Sequence, residues 1–200
     1  GNTVVAKPSE ITPMTAYLFS KICIETGLPS GILNIVHGLG SRVGDPLTTH
    51  PDIPIVSFTG GTVTGRHIAK VTAPMFKKLS LELGGKNPNI IFKDADFDKA
   101  VSMASRAAFT NQGQICLCGS RLFVQKDIYE KFKLALIEKT KKLKIGDPRD
   151  SSTQLGAVVS KDHMNKILDK IALAHELGGK ILIGGKREIL KGKLKGGYYM

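Results

Sequence analysis

The chain has no tryptophan, few aromatics of any kind (6%) and three cysteines in 200 residues. An odd number of thiols without framework spacing excludes a disulfide-stapled scaffold and suits a reducing, cytoplasmic setting. Cys116-x-Cys118 lacks the second His or Cys pair that a tetrahedral site needs, so no metal is expected. Acids are also scarce, 17 against 29 bases, for a net charge of +12. Such a balance can mark a nucleic-acid partner. Here the bases sit on helix faces (Lys131, Lys133, Lys139, Lys141, Lys142, Lys144) and in the tail (Lys186, Arg187, Lys191, Lys193, Lys195), with few aromatics among them to stack bases. A solvated surface is the expectation, with no nucleic acid bound. No apolar run nears the roughly 18 residues of a membrane span. His37, His50, His67, His163 and His175 are scattered and give no local support to a Cys–His pair.

What is present is an alternation of short apolar strands and amphipathic helices. Strands are expected at 3–6, 32–36, 53–58, 79–83, 89–92, 122–124 and 180–183. Helices are expected from Pro13 to about 26, from Arg42 into Leu47, through Ile68 and Val71, and over 96–110, 128–143 and 162–177. Thr12 reads as a cap with Pro13 at the first helical position, and Cys23 as a packed thiol. Strand–helix–strand–helix at this pitch argues for a parallel α/β sheet with right-handed crossovers. The opening and closing residues both read as interrupted, so the expectation is a piece of a larger subunit.

Two stretches carry the chemistry. Asn111-Gln112-Gly113-Gln114-Ile115-Cys116-Leu117-Cys118-Gly119-Ser120-Arg121 joins a helix to a strand and sets a thiol after a glycine turn. Leu81-Glu82-Leu83-Gly84-Gly85-Lys86-Asn87-Pro88 sets a carboxylate at the end of an apolar strand. Burial there would push the Glu82 carboxyl up, as suits a general base, although a structural hydrogen bond is the other reading. Cys116 is the expected nucleophile; a thiolate needs a nearby dipole or cation. Cys118 faces the same way as Cys116 if the piece is extended. Gly60 to Gly65 is a candidate phosphate cradle at a strand–helix junction; a tight turn with no ligand reads alike. Lys7 and Glu10 end a strand where such sheets bind ligands, and could hold ribose hydroxyls. Two solvated charges remain the plainer account. The strict Gly-x-Gly-x-x-Gly fingerprint is missing.

Lys7-Pro8-Ser9-Glu10, Phe58-Thr59-Gly60, the Glu82 motif and Asn111-Gln112-Gly113-Gln114-x-Cys116 together, in this order, resemble the aldehyde dehydrogenase superfamily across the whole chain. The phrase from Gln114 to Arg121 is most similar to the branch acting on aminomuconic and hydroxymuconic semialdehydes. The resemblance implies a variant Rossmann-type parallel sheet, the C-terminal part of an NAD-binding domain over 1–84. This continues into the N-terminal part of a second α/β catalytic domain over 85–200. It implies NAD as cofactor, an aldehyde substrate, no membrane, and a homo-oligomer (dimer or tetramer) when full length. It gives Cys116 as nucleophile and Glu82 as the base that activates water. Lys7 and Glu10 fall on the adenosine ribose, Gly40 and Gly44 around adenine, Gly60, Gly61, Thr62 and Gly65 on the pyrophosphate turn, and Leu83 near nicotinamide.

Three features depart from the family pattern. Gly61 stands where serine is usual, with Thr62 as its nearest substitute, and Ile115 replaces a frequent cysteine. The upstream oxyanion asparagine, the downstream glutamate that positions the nicotinamide ribose and the strand that pairs subunits lie outside these residues. The 200-residue chain alone is therefore expected to turn over no aldehyde. A CoA-acylating or acyl-phosphate-reducing dehydrogenase on the same scaffold, and a non-catalytic basic binding module, are the alternatives.

Overall fold

The computed structural model describes residues 1–200, in two compact units, Gly1–Leu83 and Gly84–Met200. In the first, β1 (Val4–Ala6) pairs in parallel with β2 (Leu33–Ile35) across α1 (Met14–Glu25). A π-type turn, Gly40–Gly44, leads into α2 (Asp45–Thr49). Next, β3 (Ile55–Gly60) and β4 (Lys78–Leu83) form a parallel ladder across α3 (Thr62–Thr72). In the second unit β5 (Pro88–Ile91) pairs in parallel with β6 (Arg121–Val124) across α4 (Phe97–Phe109). Then come α5 (Tyr129–Lys141) and α6 (Lys161–Glu176).

Every strand pair is parallel with a helix in the connection, as the alternation predicts. The pairs form three separate two-stranded ladders rather than one sheet. One expected strand is absent: residues 180–183 carry no ladder. Ile181 and Leu182 are half exposed, and apolar composition without a partner's N–H and C=O groups does not make a strand.

Helix ends follow local chemistry. Asp96 caps α4 by accepting from Lys99 N–H at 3.1 Å, and Ser160 caps α6 by accepting from His163 N–H at 3.1 Å. At the end of α1, Leu28 N–H reaches Cys23 O (2.9 Å) and Gly27 N–H reaches Ile24 O (3.1 Å), with Gly27 at φ +77°. That is a Schellman stop, which glycine adopts without steric cost. The start of α1 differs from expectation. Pro13 is itself the capping residue, and Thr12 lies outside the helix. Helix α1 buries none of its residues within this chain, and Cys23 is only partly buried rather than packed in a core.

The second unit holds the clearest core. Phe132, fully buried, packs with Ile91, Val101 and Ala104. The Phe97 ring meets it edge-on, centroids 5.8 Å apart at 79°. Burial of Phe132 alone is worth about 2–3 kcal/mol, and this cluster seats α4 and α5 against β5 and β6. Helix α4 therefore ends at a fixed point, and the thiol-bearing turn begins there.

Candidate active site

In the second unit, the helical path stops at Phe109, and Asn111 (φ 51°, ψ 47°), Gln112 (φ 55°, ψ 28°) and Gly113 (φ 71°) are all left-handed. Glycine and asparagine tolerate this region, but glutamine has no such preference. Holding Gln112 there costs about 1–2 kcal/mol. Its side-chain amide offsets part of that. With its oxygen turned toward Gly156, it accepts from the Gly156 N–H at 2.9 Å. Gly113 is fixed by space as well as by φ, because an added Cβ would sit 2.9 Å from Ala108 O.

The kink reverses the chain into a tight turn closed by Cys118 N–H to Ile115 O at 3.0 Å. Cys116 occupies the tip and is exposed, whereas Cys118 is 4% exposed. The expectation that both thiols face one way assumed extended backbone; the turn separates them. Cys116 N–H donates to no group of the chain. On the far side, Asn87 Nδ2 donates to Cys116 O at 2.9 Å and approaches Cys118 O at 3.4 Å. Arg121 Nε donates to Lys86 O at 2.8 Å, and Gly119 N–H to Ala107 O at 3.2 Å. Asn87 lies in a motif read from sequence, yet nothing in one dimension shows that its side chain reaches back over 29 residues.

Glu82 lies on β4 in the first unit, one residue before its end. Register pairs Phe58 with Leu81, Thr59 with Glu82 and Gly60 with Leu83. Phe58, Gly60, Leu81 and Leu83 are half-buried on one face; Thr59 and Glu82 stand exposed together on the other. The expectation of a buried Glu82 is therefore corrected. Leucine neighbours in a strand point to the opposite face, so they do not bury this carboxylate.

The other nominated residues form one connected patch of the first unit. Lys7, directly after β1, has a largely buried side chain (16% exposed). Its Nζ donates to Pro8 O (2.6 Å), Gly38 O (3.2 Å) and Glu10 Oε2 (3.4 Å). The two charges are a held pair rather than separate solvated groups. The Glu10 carboxyl stays below the usual range, first through a hydrogen bond from its own backbone and then through Lys7. Gly44 closes the π-type turn that Gly40 opens, and its Cα faces the Lys7 stem at 3.9 Å from a notional Cβ. Asp45, next in chain, takes His67 Nε2 of α3 at 3.0 Å. Gly61 caps α3 in extended conformation, with no side-chain cap and open space where a Cβ would be. Gly65 is buried, and a Cβ there would lie 2.6 Å from Leu83 Cδ2. Absence of that methyl lets the first turn of α3 lie on the end of β4. Lys7, Gly60 and Leu83 thus all mark carboxyl ends of parallel strands, where α/β sheets bind ligands.

The chain is 47% identical over 202 residues to the 2-aminomuconic semialdehyde dehydrogenase of Mus musculus, covering 100% of this chain and 42% of that protein. It is 44% identical over 201 residues to the 4-trimethylaminobutyraldehyde dehydrogenase A of Danio rerio, covering 100% and 39%. A crystal structure of betaine aldehyde dehydrogenase from Staphylococcus aureus, in complex with NAD+, superposes with a TM-score of 0.94 at 45% identity, over 98% of this chain and 39% of that one. The chain thus spans about two fifths of the length of the relatives it matches. A family profile described as "Aldehyde dehydrogenase family" matches residues 1–200, and the chain belongs to the aldehyde dehydrogenase family.

Proposed function

We propose that the protein to which this chain belongs oxidises an aldehyde to its carboxylic acid with NAD. Residues 1–84 would be the C-terminal part of the cofactor domain, and 85–200 the N-terminal part of the catalytic domain. The observation that carries the reading is the left-handed kink at 111–113, which delivers Cys116 exposed with an unused N–H while burying Cys118. Strain of this kind is characteristic of functional sites.

Cys116, as thiolate, adds to the aldehyde carbon and the carbonyl oxygen becomes an oxyanion. The Cys116 N–H, which no group of the chain takes, would donate to that oxygen. NAD, when bound, would supply the hydride acceptor for the thiohemiacetal carbon, while Cys116 would hold the acyl group as a thioester. Glu82 takes a proton from water, whose oxygen attacks the thioester; the acid leaves and the thiol is restored. The first unit has the groups to hold the cofactor. Open space at Gly61 and the uncapped start of α3 suit the pyrophosphate, with Gly60, Thr62 and Gly65 shaping the turn and Leu83 nearby. Gly40 and Gly44 wall the adenine. Lys7 and Glu10 take the ribose hydroxyls, and the ionised Glu10 would repel a 2′-phosphate, favouring NAD over NADP. Structural relatives bound to NAD+ support this choice.

The substrate is proposed to be a semialdehyde of the aminomuconic type. Identities of 46–48% to 2-aminomuconic semialdehyde dehydrogenases over the whole chain support it. Full-length enzyme assayed for NADH across semialdehydes and trimethylammonium aldehydes tests the reading. Cys116→Ser should abolish NADH formation. Glu82→Gln should keep the first burst and lose steady turnover by about a hundredfold or more. Steady turnover surviving in either variant overturns the corresponding role. A Glu82→Gln enzyme that passes its acyl group to CoA at the parental rate would favour the acylating alternative.

A further inference from the structure

The thiol turn is fastened by one side chain that has no role in the chemistry just described. Asn87 Nδ2 donates to Cys116 O at 2.9 Å and lies 3.4 Å from Cys118 O, so one amide group spans the carbonyls on either side of Leu117. Asn87 is itself held, its carbonyl accepting from Arg121 N–H at 3.1 Å, while Lys86 O takes Arg121 Nε at 2.8 Å. Backbone bonds from Cys118 N–H to Ile115 O and from Gly119 N–H to Ala107 O hold the base of the turn, and its tip is open. Leu117 is 81% exposed, and Ile115 and Cys116 are exposed as well. The turn also follows directly on a strained kink, which would relax if nothing opposed it.

We propose that Asn87 is a positioning residue for the nucleophile: it fixes the Cys116–Leu117 peptide, and through it the direction of the Cys116 side chain and N–H. This rests on Cys116 being the nucleophile. It adds that the precision of its placement comes from the residues just after the Gly84-Gly85 pair. Displacement of a reacting atom by about 1 Å costs up to a hundredfold in rate. Loss of both donated bonds should therefore appear in the chemical step and not in cofactor affinity.

The test uses full-length enzyme with Asn87→Leu, similar in size and without a donor. The expected result is a hydride burst and kcat lower by about ten- to a hundredfold, an unchanged KM for NAD, and a slower iodoacetamide alkylation of Cys116, mapped by peptide mass spectrometry across pH. Asn87→Ser, which keeps one donor on a shorter arm, should fall between. A lower melting temperature with burst and alkylation unchanged would make Asn87 ordinary scaffolding and overturn the proposal. If Asn87→Leu does not yield folded enzyme, Asn87→Ser decides: a full parental burst refutes positioning. Cys116→Ser is run alongside. A burst that survives there refutes the nucleophile itself, whereas one lost there and kept in Asn87→Leu refutes Asn87 alone.

Discussion

Two of the glycine-bearing turns at helix ends in this chain are built on opposite principles. The turn from Gly60 into α3 is relaxed. Gly61 has φ −74° and ψ 146°, ordinary values for any residue, with free space beside it. The turn from α4 to β6 is tense, with three successive left-handed residues and a glycine pressed against Ala108 O. A loop that receives a ligand by its backbone needs room. One that presents a side chain needs a single direction, and accepts strain to obtain it.

The contrast can be broken by substitution, using thermal unfolding of the full-length protein. Gly113→Ala should cost the most, about 2–3 kcal/mol, because a positive φ and the Ala108 carbonyl both oppose the new methyl. Replacement of Gln112 sharpens the picture. Gln112→Ala keeps the strain and loses the Gly156 contact, for a loss of about 1 kcal/mol. Gln112→Gly loses the same contact yet relieves the strain, so it should be the more stable of the two. Should glycine prove no better than alanine, position 112 stores no strain. Gly61→Ala should have the smallest effect, within about 0.5 kcal/mol, since its φ and surroundings admit a methyl. A large loss there would mean that the two turns do not differ as described.

Much of this was legible in one dimension. The parallel ladders followed from short β-branched runs alternating with amphipathic helices, and the helix expected over 96–110 is α4, with Asp96 as its cap rather than its first residue. Other features were hidden for definite reasons. Glutamine has no left-handed preference, so the kink at 112 left no mark in the sequence. The opposite fates of Cys116 and Cys118 depend on turn geometry, and an alternation rule gave them one face. Leucines on both sides of Glu82 suggested burial, but neighbours in a strand speak for the other face. The reach of Asn87 to the thiol turn exists only in three dimensions.

Gly119 carries a practical consequence. A methyl there would meet Asn89 Cβ at 3.2 Å and Ala107 Cβ at 3.4 Å, so the rear of the thiol loop takes one only if those side chains shift by a few tenths of an ångström. Ile115 and Leu117, 37% and 81% exposed on either side of the sulfur, are unconstrained by comparison. If the proposed activity holds, a mutant library aimed at new aldehyde preferences should therefore randomise 115 and 117 and hold 113 and 119 as glycine, changing the neighbourhood of the thiol while leaving its mount alone.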